Sequence, residues 1–330
     1  MRLFSNPMQA LPLILVLLIL AVLLHLGFGA KQISLMTTLN AFINFDAQNF
    51  DHIVIRQMRI PRMITAISVG AALSVAGALM QGVTRNPLAD PGLLALMSGA
   101  AFGVVIGASF FAIEADIWMP VLAAAGALAA AVLVALIVLL APSGRSPAVL
   151  LLAGAAVTAF LSAFVSGINI LNEESFSTFR VWLSGSITAD AIQMLPYAAP
   201  WLVGGLVLAL VSARQVTVLS MGHEAATGLG VNATALSIRL LICTVVLTAA
   251  AVAMVGPLGF VGLVVPHATR LLVGSDYRWI IPCSALVGAL FLLLVDLAAR
   301  IVMAPVEVAT GVVTTLLGAP LFVLLVRRVL

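Results

Sequence analysis

Long runs of apolar residues, each about the length of a membrane-spanning helix, repeat along almost the whole chain. Short breaks that carry proline, glycine or charged residues separate these runs. A hydropathy reading predicts about ten transmembrane helices, at residues 11–29, 63–82, 92–113, 118–141, 148–171, 194–212, 235–255, 258–273, 280–303 and 306–326. The eighth run is short and flanked by proline and glycine, so a nine-helix arrangement stays open. No break is long enough for a separate soluble domain, so residues 1–330 are expected to form a single transmembrane domain.

The composition places most of the molecular surface in lipid. Hydrophobic residues make up 63% of the chain and charged residues 8%, and the mean hydropathy is +1.24. Soluble domains carry about 25% charged residues, so this composition is typical of an all-α polytopic membrane protein. The first run, within residues 10–30, is longer than the apolar core of a signal peptide. It is interpreted as a retained first helix, with His25 near its end reaching interfacial water.

Basic residues predict the orientation in the membrane. With ten helices both termini lie on one side, and nine of the 15 basic residues fall on that side. Since basic residues concentrate in cytoplasmic loops, both termini are expected in the cytoplasm. The other six basic residues are Lys31, Arg180, Arg300 and the three arginines of "RQMRIPR", Arg56 to Arg62.

The "RQMRIPR" stretch concentrates positive charge on the side of the membrane where it is disfavoured. Two interpretations of this stretch stay open. In one, Arg59 and Arg62 reach lipid headgroups while Pro61 starts a helix at its first turn. In the other, the arginines form an outer cationic patch that receives an acidic partner.

Several common catalytic motifs are absent from the sequence. Lys31 is the single lysine and Gln32 follows it, so the chain has no GxxxxGK[ST] phosphate loop. The stretch "HEAAT", His223 to Thr227, has threonine where a zinc-protease helix needs its second histidine. A Gly-x-Ser-x-Gly nucleophile elbow is absent too. The sequence therefore predicts a non-catalytic chain without a metal site.

The longest polar segment predicted in the cytoplasm is "RQVTVLSMGHEAATGLGVN", Arg214 to Asn232. Its glycines, Gly222 and Gly230, are typical helix ends. This pattern fits two short helices lying across the membrane surface. Without further context, an ordinary solvated loop is the simpler interpretation.

Two acidic residues stand in or near membrane spans, where ionisable groups are costly and usually partnered. They are Asp296 and Glu307. Arg300 follows Asp296 by four residues, and an acid that precedes its base at this spacing is favourable on a helix. A structural ion pair is one interpretation. A proton relay, which would make the chain a secondary transporter, is the other.

The second apolar run also carries a packing signal. Small residues recur at three- and four-residue spacing, at Gly70, Ser74, Gly77 and Ala78. Such a stripe lets another helix approach closely. The stripe is common in polytopic proteins, so it predicts packing and not a particular function.

Five stretches of the chain carry a resemblance to a known family: "RIPRMITAISVGAALSVAGALMQGVTRNPLADPGLLALMSGAAFG" (59–103), "FRVWLSGS" (179–186), "LSMGHEAATGLG" (219–230), "VGPLGFVGLVVPHATRLLVGSDYRWIIP" (255–282) and "LVDLAARIVMAPVEVATGVVTTLLGAPLFVLLVRR" (294–328). They stand in the same order as in that family, and they make the chain resemble the FecCD family of ABC importer permeases, which serve iron-siderophore, haem and vitamin B12 uptake. The wording of "TRNPLADPGLL" and "LVGSDYRW" is nearest to ferric-enterobactin permeases. In one departure, "EVATG" stands where "ELPVG" is commoner, so Val308 and Ala309 lack the family's proline.

The resemblance implies the type II ABC importer permease architecture, with ten transmembrane helices per subunit. It implies a second permease subunit, identical or different, across a central pathway. Two cytoplasmic ATP-binding subunits and a periplasmic or lipoprotein substrate-binding protein complete the machine. ATP and Mg bind to the ATPase partner in this family, so no cofactor is expected in this chain. The expected location is the bacterial inner membrane, with no nucleic-acid partner.

The resemblance also assigns site residues by motif. The arginines that dock the binding protein correspond to Arg59, Arg62 and Arg300. Coupling to the ATPase corresponds to the segment at about 214–232, with Gly222, His223, Glu224 and Gly228. The "GRSP" stretch falls where a cytoplasmic gate is expected, at Arg145 and Ser146. Arg56 lies outside the matched motif, so the resemblance gives it no role.

The function that the resemblance implies is the permease subunit of an iron(III)-siderophore importer, of the catecholate class. Its transport would be driven by ATP hydrolysis in the partner subunits. A haem or vitamin B12 importer is the alternative within this class. A proton-coupled secondary transporter and an intramembrane enzyme are the alternatives from other classes.

Overall fold

The computed structural model describes residues 7–110, 118–141, 147–171 and 179–327. Regular secondary structure within these ranges is helical throughout. The helices with defined bounds are α1 (Pro7–Gly27), α2 (Leu35–Ile43), α3 (Phe50–Ile53), α4 (Ile60–Thr84), α5 (Leu96–Phe110), α6 (Trp118–Leu140), α7 (Pro147–Leu171), α8 (Leu195–Ser220), α9 (His223–Gly228), α10 (Ala233–Val255), α11 (Val261–Val273), α12 (Tyr277–Ile301) and α13 (Thr310–Arg327). A π-helical segment, Val54–Arg59, joins α3 to α4, and 3-10 turns at Pro91–Leu94 and Asp190–Met194 precede α5 and α8.

Ten apolar helices account for the membrane domain in the described ranges. Seven helical stretches are long and apolar enough to span a membrane, and three shorter apolar helices, α5, α11 and α13, accompany them. The peripheral helices expose apolar side chains, as Val16 (61% exposed) does on α1 and Val132 (58%) on α6. An exposed apolar surface on this scale is stable in lipid and not in water. The predicted all-α polytopic fold with about ten helices is confirmed.

The helices begin and end within four residues of their predicted bounds, except at the end of α8. α8 continues to Ser220 instead of ending near residue 212, because Val216 and Leu219 are fully buried and extend its apolar face into the bundle. α11 has 13 residues, and the preceding segment from Gly256 to Phe260 is not helical. Its proline and glycines explain why this run is short.

α4 is the central helix of the bundle and packs against α8, α10, α11 and α12. Its glycines allow this close approach. A Cβ atom at Gly77 would lie 1.8 Å from the backbone oxygen of Gly262 on α11. A Cβ atom at Gly70 would lie 2.3 Å from that of Gly288 on α12. The small-residue packing face predicted on this helix is therefore confirmed.

The apolar interior is divided into two main clusters. The larger cluster joins α1, α4, α8, α10, α11 and α12. The smaller one joins α5, α6 and α7, and it receives Met80 from α4 and Ala249 and Val252 from α10. α4 and α10 are therefore the long helices that contribute to both clusters.

The two ends of the bundle carry different polar groups. The arginine end holds Arg59, Arg62 and Arg300 beside Asp296. The α9 end holds α9, the loop after α4 and the start of α12. In that loop, Arg85 approaches Gly222.

Candidate functional site

The arginine end forms where the helical stretch Phe50–Thr84 meets the ends of α1 and α12. The π-helical segment brings Arg59 against the end of α1, where its guanidinium group donates to the backbone oxygens of Leu26 and Lys31. Pro61 lies in the first turn of α4, directly after the π-helical segment, and has no N–H to donate to that segment. Arg62, in the same turn, reaches towards α12.

Asp296 on α12 is the centre of this cluster, and its side chain is fully buried. His25 Nε2 donates to Oδ2 at 2.9 Å, while Arg62 Nη2 and Thr310 Oγ1 donate to Oδ1 at 2.9 and 3.2 Å. Arg300 Nε lies 3.3 Å from Oδ2 as an i,i+4 ion pair. Arg300 also donates from Nη2 to the backbone oxygen of His25 at 3.1 Å. A carboxylate is tolerated at this depth because several donors surround it.

Glu307 connects the buried cluster to the molecular surface. Arg62 Nη1 donates to Glu307 Oε2 at 2.5 Å, so this arginine bridges two carboxylates. The Glu307 side chain is 45% exposed, whereas that of Arg62 is 10% exposed. A group that approaches the cluster from outside therefore meets Glu307 before it meets Arg62.

The three arginines predicted to dock a binding protein do come together. Arg62 and Arg300 share Asp296, and a Cβ atom at Gly29 would lie 3.3 Å from Nη2 of Arg59 and 3.4 Å from Nη1 of Arg300. All three residues are buried within this chain, with exposed fractions of 3 to 8%. Their docking role stays a prediction, and it requires that a partner reach them through Glu307 or through a rearrangement.

The structure decides two other sequence predictions about the arginine end. The structural ion pair between Asp296 and Arg300 is confirmed. The prediction that His25 reaches interfacial water is wrong, because its side chain is fully buried against Asp296. No sequence pattern signals this contact, since the two residues lie 271 positions apart. Arg56 is exposed, and its guanidinium group lies 4.6 Å from the centre of the Phe45 ring.

The α9 end carries the residues predicted to couple to an ATPase. Gly222 leaves α8 with a φ of +122°, a conformation that favours glycine. α9 follows at once, with Ala226 buried and with exposed positions that include His223, Glu224 and Gly228. The predicted segment at about 214–232 is thus the last part of α8 followed by one short helix. Two short surface helices are not formed, because the apolar face of α8 continues through Leu219.

Asp276 fixes the start of α12 at the same end. Its carboxylate accepts from Arg278 Nε at 2.8 Å, from the Arg278 backbone N–H at 3.0 Å and from Thr217 Oγ1 at 3.0 Å. These donors, led by the Arg278 side chain, hold the pKa of Asp276 below its ordinary value. Asp276 is therefore both the helix cap and a tie to α8.

Two further predictions concern a gate and a metal. The gate residues Arg145 and Ser146 lie outside the described residues. Over the four described ranges, no group of three or more His, Cys, Asp or Glu side chains is arranged to hold a metal ion. Cys243 and Cys283 are free and buried.

α7 exposes small and hydroxyl side chains on one face. Small residues and serines follow one stripe along it, at Ala155, Ala159, Ser162 and Ser166. Large apolar side chains flank the stripe, including Phe160 and Phe164. Small residues let another helix approach closely, and hydroxyl groups favour contact with protein or water over lipid. This face suits another subunit or a water-filled pathway.

Comparisons with known proteins agree over nearly the whole chain. The sequence profile of the FecCD transport family matches residues 17–328. The iron(3+)-hydroxamate import system permease protein FhuB of Bacillus subtilis is 41% identical over 317 residues, covering 95% of this chain and 82% of that protein. The ferric enterobactin transport system permease protein FepD of Escherichia coli is 39% identical over 320 residues, covering 97% and 95%. A solved structure described as an inward-facing, metal-chelate type ABC transporter has a TM-score of 0.84 at 30% identity, covering 97% of this chain and 99% of that one.

Proposed function

Because the chain belongs to the FecCD transport family, we propose that it is the permease subunit of an ABC importer for an iron(III)-siderophore complex. The observation that carries this proposal is the extent of the family match, which runs from residue 17 to residue 328. We assign the siderophore to the catecholate class on the wording of residues 84–94 and 272–279. Overall identity does not separate the classes, since the hydroxamate and enterobactin relatives are 41% and 39% identical.

The α7 stripe supports a second permease subunit and a shared pathway. A monomer in lipid would leave Ser162 and Ser166 against acyl chains, where their hydroxyl groups gain little. In our proposal a second permease, identical or different, faces this stripe. The substrate then passes between the two subunits, along surfaces that are small and polar.

The α9 segment supports coupling to a separate ATPase. The chain has no phosphate loop of its own, and α9 presents Glu224 and its neighbours on an exposed short helix. We propose that α9 inserts into a surface of one ATP-binding subunit. ATP and Mg would bind in those partners, and this chain would supply no catalytic group.

The arginine end supports a docking site for the substrate-binding protein. Arg62 already holds a half-exposed carboxylate, that of Glu307. We propose that an acidic side chain of the binding protein replaces Glu307 on Arg62 when it docks. Such an exchange makes buried arginines usable, since Arg62 keeps a carboxylate partner in both states.

The location and orientation follow from the same proposal. The permease lies in the bacterial inner membrane with both termini in the cytoplasm, because nine of the 15 basic residues then face inward. The α9 end is then cytoplasmic. The arginine end faces the periplasm or the cell exterior, where a binding protein delivers the substrate.

Uptake by reconstituted vesicles tests the transport proposal. The permease is reconstituted with its partner ATPase and binding protein, and iron-55 uptake is followed with ferric enterobactin, with a ferric hydroxamate, and against unlabelled hemin and cobalamin. We expect uptake of the catecholate complex that requires ATP and persists with an uncoupler. Uptake that needs no ATP and stops with the uncoupler would establish a secondary transporter instead. Preference for hydroxamate, hemin or cobalamin would reassign the substrate but leave the importer in place.

Binding-protein affinity tests the exchange at Arg62. We expect Glu307→Gln to strengthen docking, since the competing charge is removed, and we expect added salt to weaken docking by the wild-type permease. Glu224→Gln, at the opposite end, is the matched control and should leave affinity unchanged. An affinity and a salt dependence that Glu307→Gln does not alter would exclude docking at Arg62.

A further inference from the structure

α2 carries a large exposed apolar surface for a helix of nine residues. Two of its side chains, Thr38 and Ala41, are buried at 4% and 1% exposure. Five large apolar side chains are exposed by 50 to 75%: Leu35, Met36, Leu39, Phe42 and Ile43. Asn40 is exposed as well, on another part of the helix.

These side chains divide the helix into three faces. At about 100° per residue, the exposed apolar side chains cover an arc of about 120°. The buried pair adjoins this arc on one side, and Thr37 and Asn40 form a polar face that adjoins it on the other. The centres of the apolar and polar faces are about 130° apart. A helix attached to the bundle by its buried flank therefore turns these two faces in clearly different directions.

The attachment places α2 beside the lipid-exposed end of α1. The linker between them is short and folds back, with the Ile33 N–H donating to the oxygen of Gly27 at 2.9 Å. Ile33 then packs with Ala41 of α2 and Ile55 of the π-helical segment. Phe28, at the start of the linker, is 41% exposed and continues the exposed apolar surface of α1 towards α2. The apolar face of α2 is thus continuous with a surface that faces lipid.

The chemistry around α2 is that of a membrane interface. No charged residue lies within Leu35–Ile43, and exposed Phe45 and Phe50 extend its apolar surface. Cations lie over these two rings, with Arg56 at 4.6 Å and Lys31 at 5.6 Å. Aromatic rings beside basic side chains are typical of the headgroup region. A partner protein that leaves after each delivery would return this apolar surface to water, which soluble surfaces avoid.

We infer that α2 lies flat in the headgroup region of the leaflet at the arginine end, with Leu39, Phe42 and Ile43 among the acyl chains. Asn40 and Thr37 face the water above it. This arrangement is that of an interfacial amphipathic helix. Through Ile55, the anchored helix supports the π-helical segment that carries Arg59.

Site-directed spin labelling tests this inference in the full-length chain. Nitroxides are placed singly by Leu39→Cys, Phe42→Cys and Asn40→Cys, with Cys243→Ala and Cys283→Ala removing the native thiols. Each variant is held in nanodiscs of phosphatidylcholine and phosphatidylglycerol. The rate at which the nitroxide collides with oxygen is then compared with its rate of collision with a water-soluble nickel chelate. Leu20→Cys on the exposed side of α1 gives the lipid reference, and Glu224→Cys gives the water reference.

The inference expects opposite results from neighbouring positions. Labels at 39 and 42 should favour oxygen over nickel, with a ratio between those at Glu224 and Leu20 and nearer to Leu20, while the label at Asn40 should match Glu224. Two lipid-side positions are used so that a local fold defect in one variant does not decide the result. Nickel-accessible labels at both 39 and 42 would overturn the inference and leave α2 as a water-exposed surface for a protein. An equal, lipid-like result at Asn40 would overturn it too, since the helix would then be immersed and not interfacial.

Discussion

Replacing Asp296 by asparagine removes the charge at the centre of the arginine cluster while keeping the size of the side chain. The carboxylate accepts from His25, Arg62 and Thr310 and pairs with Arg300. An asparagine keeps one acceptor oxygen and places an NH2 group against donors on the other side. The substitution therefore leaves two buried guanidinium groups without their shared counter-charge.

The expected cost follows from burial. The Asp296 side chain is 0% exposed, and those of Arg62 and Arg300 are 10% and 4% exposed. Removing one partner of a buried ion pair costs about 3–5 kcal/mol. Glu307→Gln is the matched control in the same cluster. Because the Glu307 side chain is 45% exposed, its loss should cost about 0–1 kcal/mol, as for surface pairs.

The two native cysteines supply the assay. Cys243 and Cys283 are 1% and 0% exposed, so a thiol-reactive fluorophore reports unfolding as the temperature rises. For the detergent-solubilised chain we expect the midpoint of Asp296→Asn to fall by on the order of 10 °C. Glu307→Gln should shift the midpoint by no more than a few degrees. A second experiment combines Arg300→Gln with Asp296→Asn. The double variant should lose less stability than the sum of the losses of the two single variants.

The reasoning fails if Asp296→Asn melts like the wild type. It also fails if Glu307→Gln is equally destabilising, because burial would then not be the cause. Strict additivity of Asp296→Asn and Arg300→Gln would show that the two side chains do not share an ion pair.

The remaining predictions concern packing, pH and topology. Gly77→Ala should lower expression and melting temperature sharply, because its Cβ would lie 1.8 Å from a facing backbone oxygen. Gly167→Ala is the control and should behave as wild type, because no atom lies within 4 Å of a Cβ there. Equal melting temperatures of the two variants would contradict the close helix contact at Gly77. Asp276→Asn keeps the helix cap but removes the charge. Because the pKa of Asp276 is lowered in the folded chain, the wild type should be more stable than Asp276→Asn at pH 7. This difference in stability should vanish as the pH falls from about 4 through the folded-state pKa. Melting temperatures measured over a series of pH values check this. Glu224→Cys should crosslink to the partner ATPase in membranes, and labelling of this cysteine by an impermeant reagent outside intact cells would contradict the proposed orientation.

The parts of the fold that sequence alone predicts are those encoded locally. Each spanning helix is a continuous apolar run, so the ten helices are legible without knowledge of their neighbours. The Asp296–Arg300 pair is legible for the same reason, since four residues place both side chains on one helix face. α8 shows the limit of this reading, because polar residues after position 212 obscure the two apolar positions that keep it buried.

The parts that sequence does not predict depend on distant contacts or on short elements. His25 joins the arginine cluster only because α1 and α12 pack side by side, and nothing near position 25 specifies that contact. The same packing buries Arg59 and Arg62 of "RQMRIPR", while Arg56 of the same stretch stays exposed. A hydropathy window of about 19 residues does not detect α2. The helix has only nine residues, so its apolar side chains do not raise the mean hydropathy of the window enough.

The division of the interior into two apolar clusters limits how this protein changes shape. Packed interiors resist continuous deformation and shift instead as rigid parts. Two such parts are the group of α5, α6 and α7 and the larger group built on α4, and the residues between them include Met80, Ala249 and Val252. These three side chains have to slide or change rotamer in any transition that preserves the packing within both clusters. Substitutions that enlarge or shrink those three residues should therefore act on the rate of switching between states, while the fold of each part is retained.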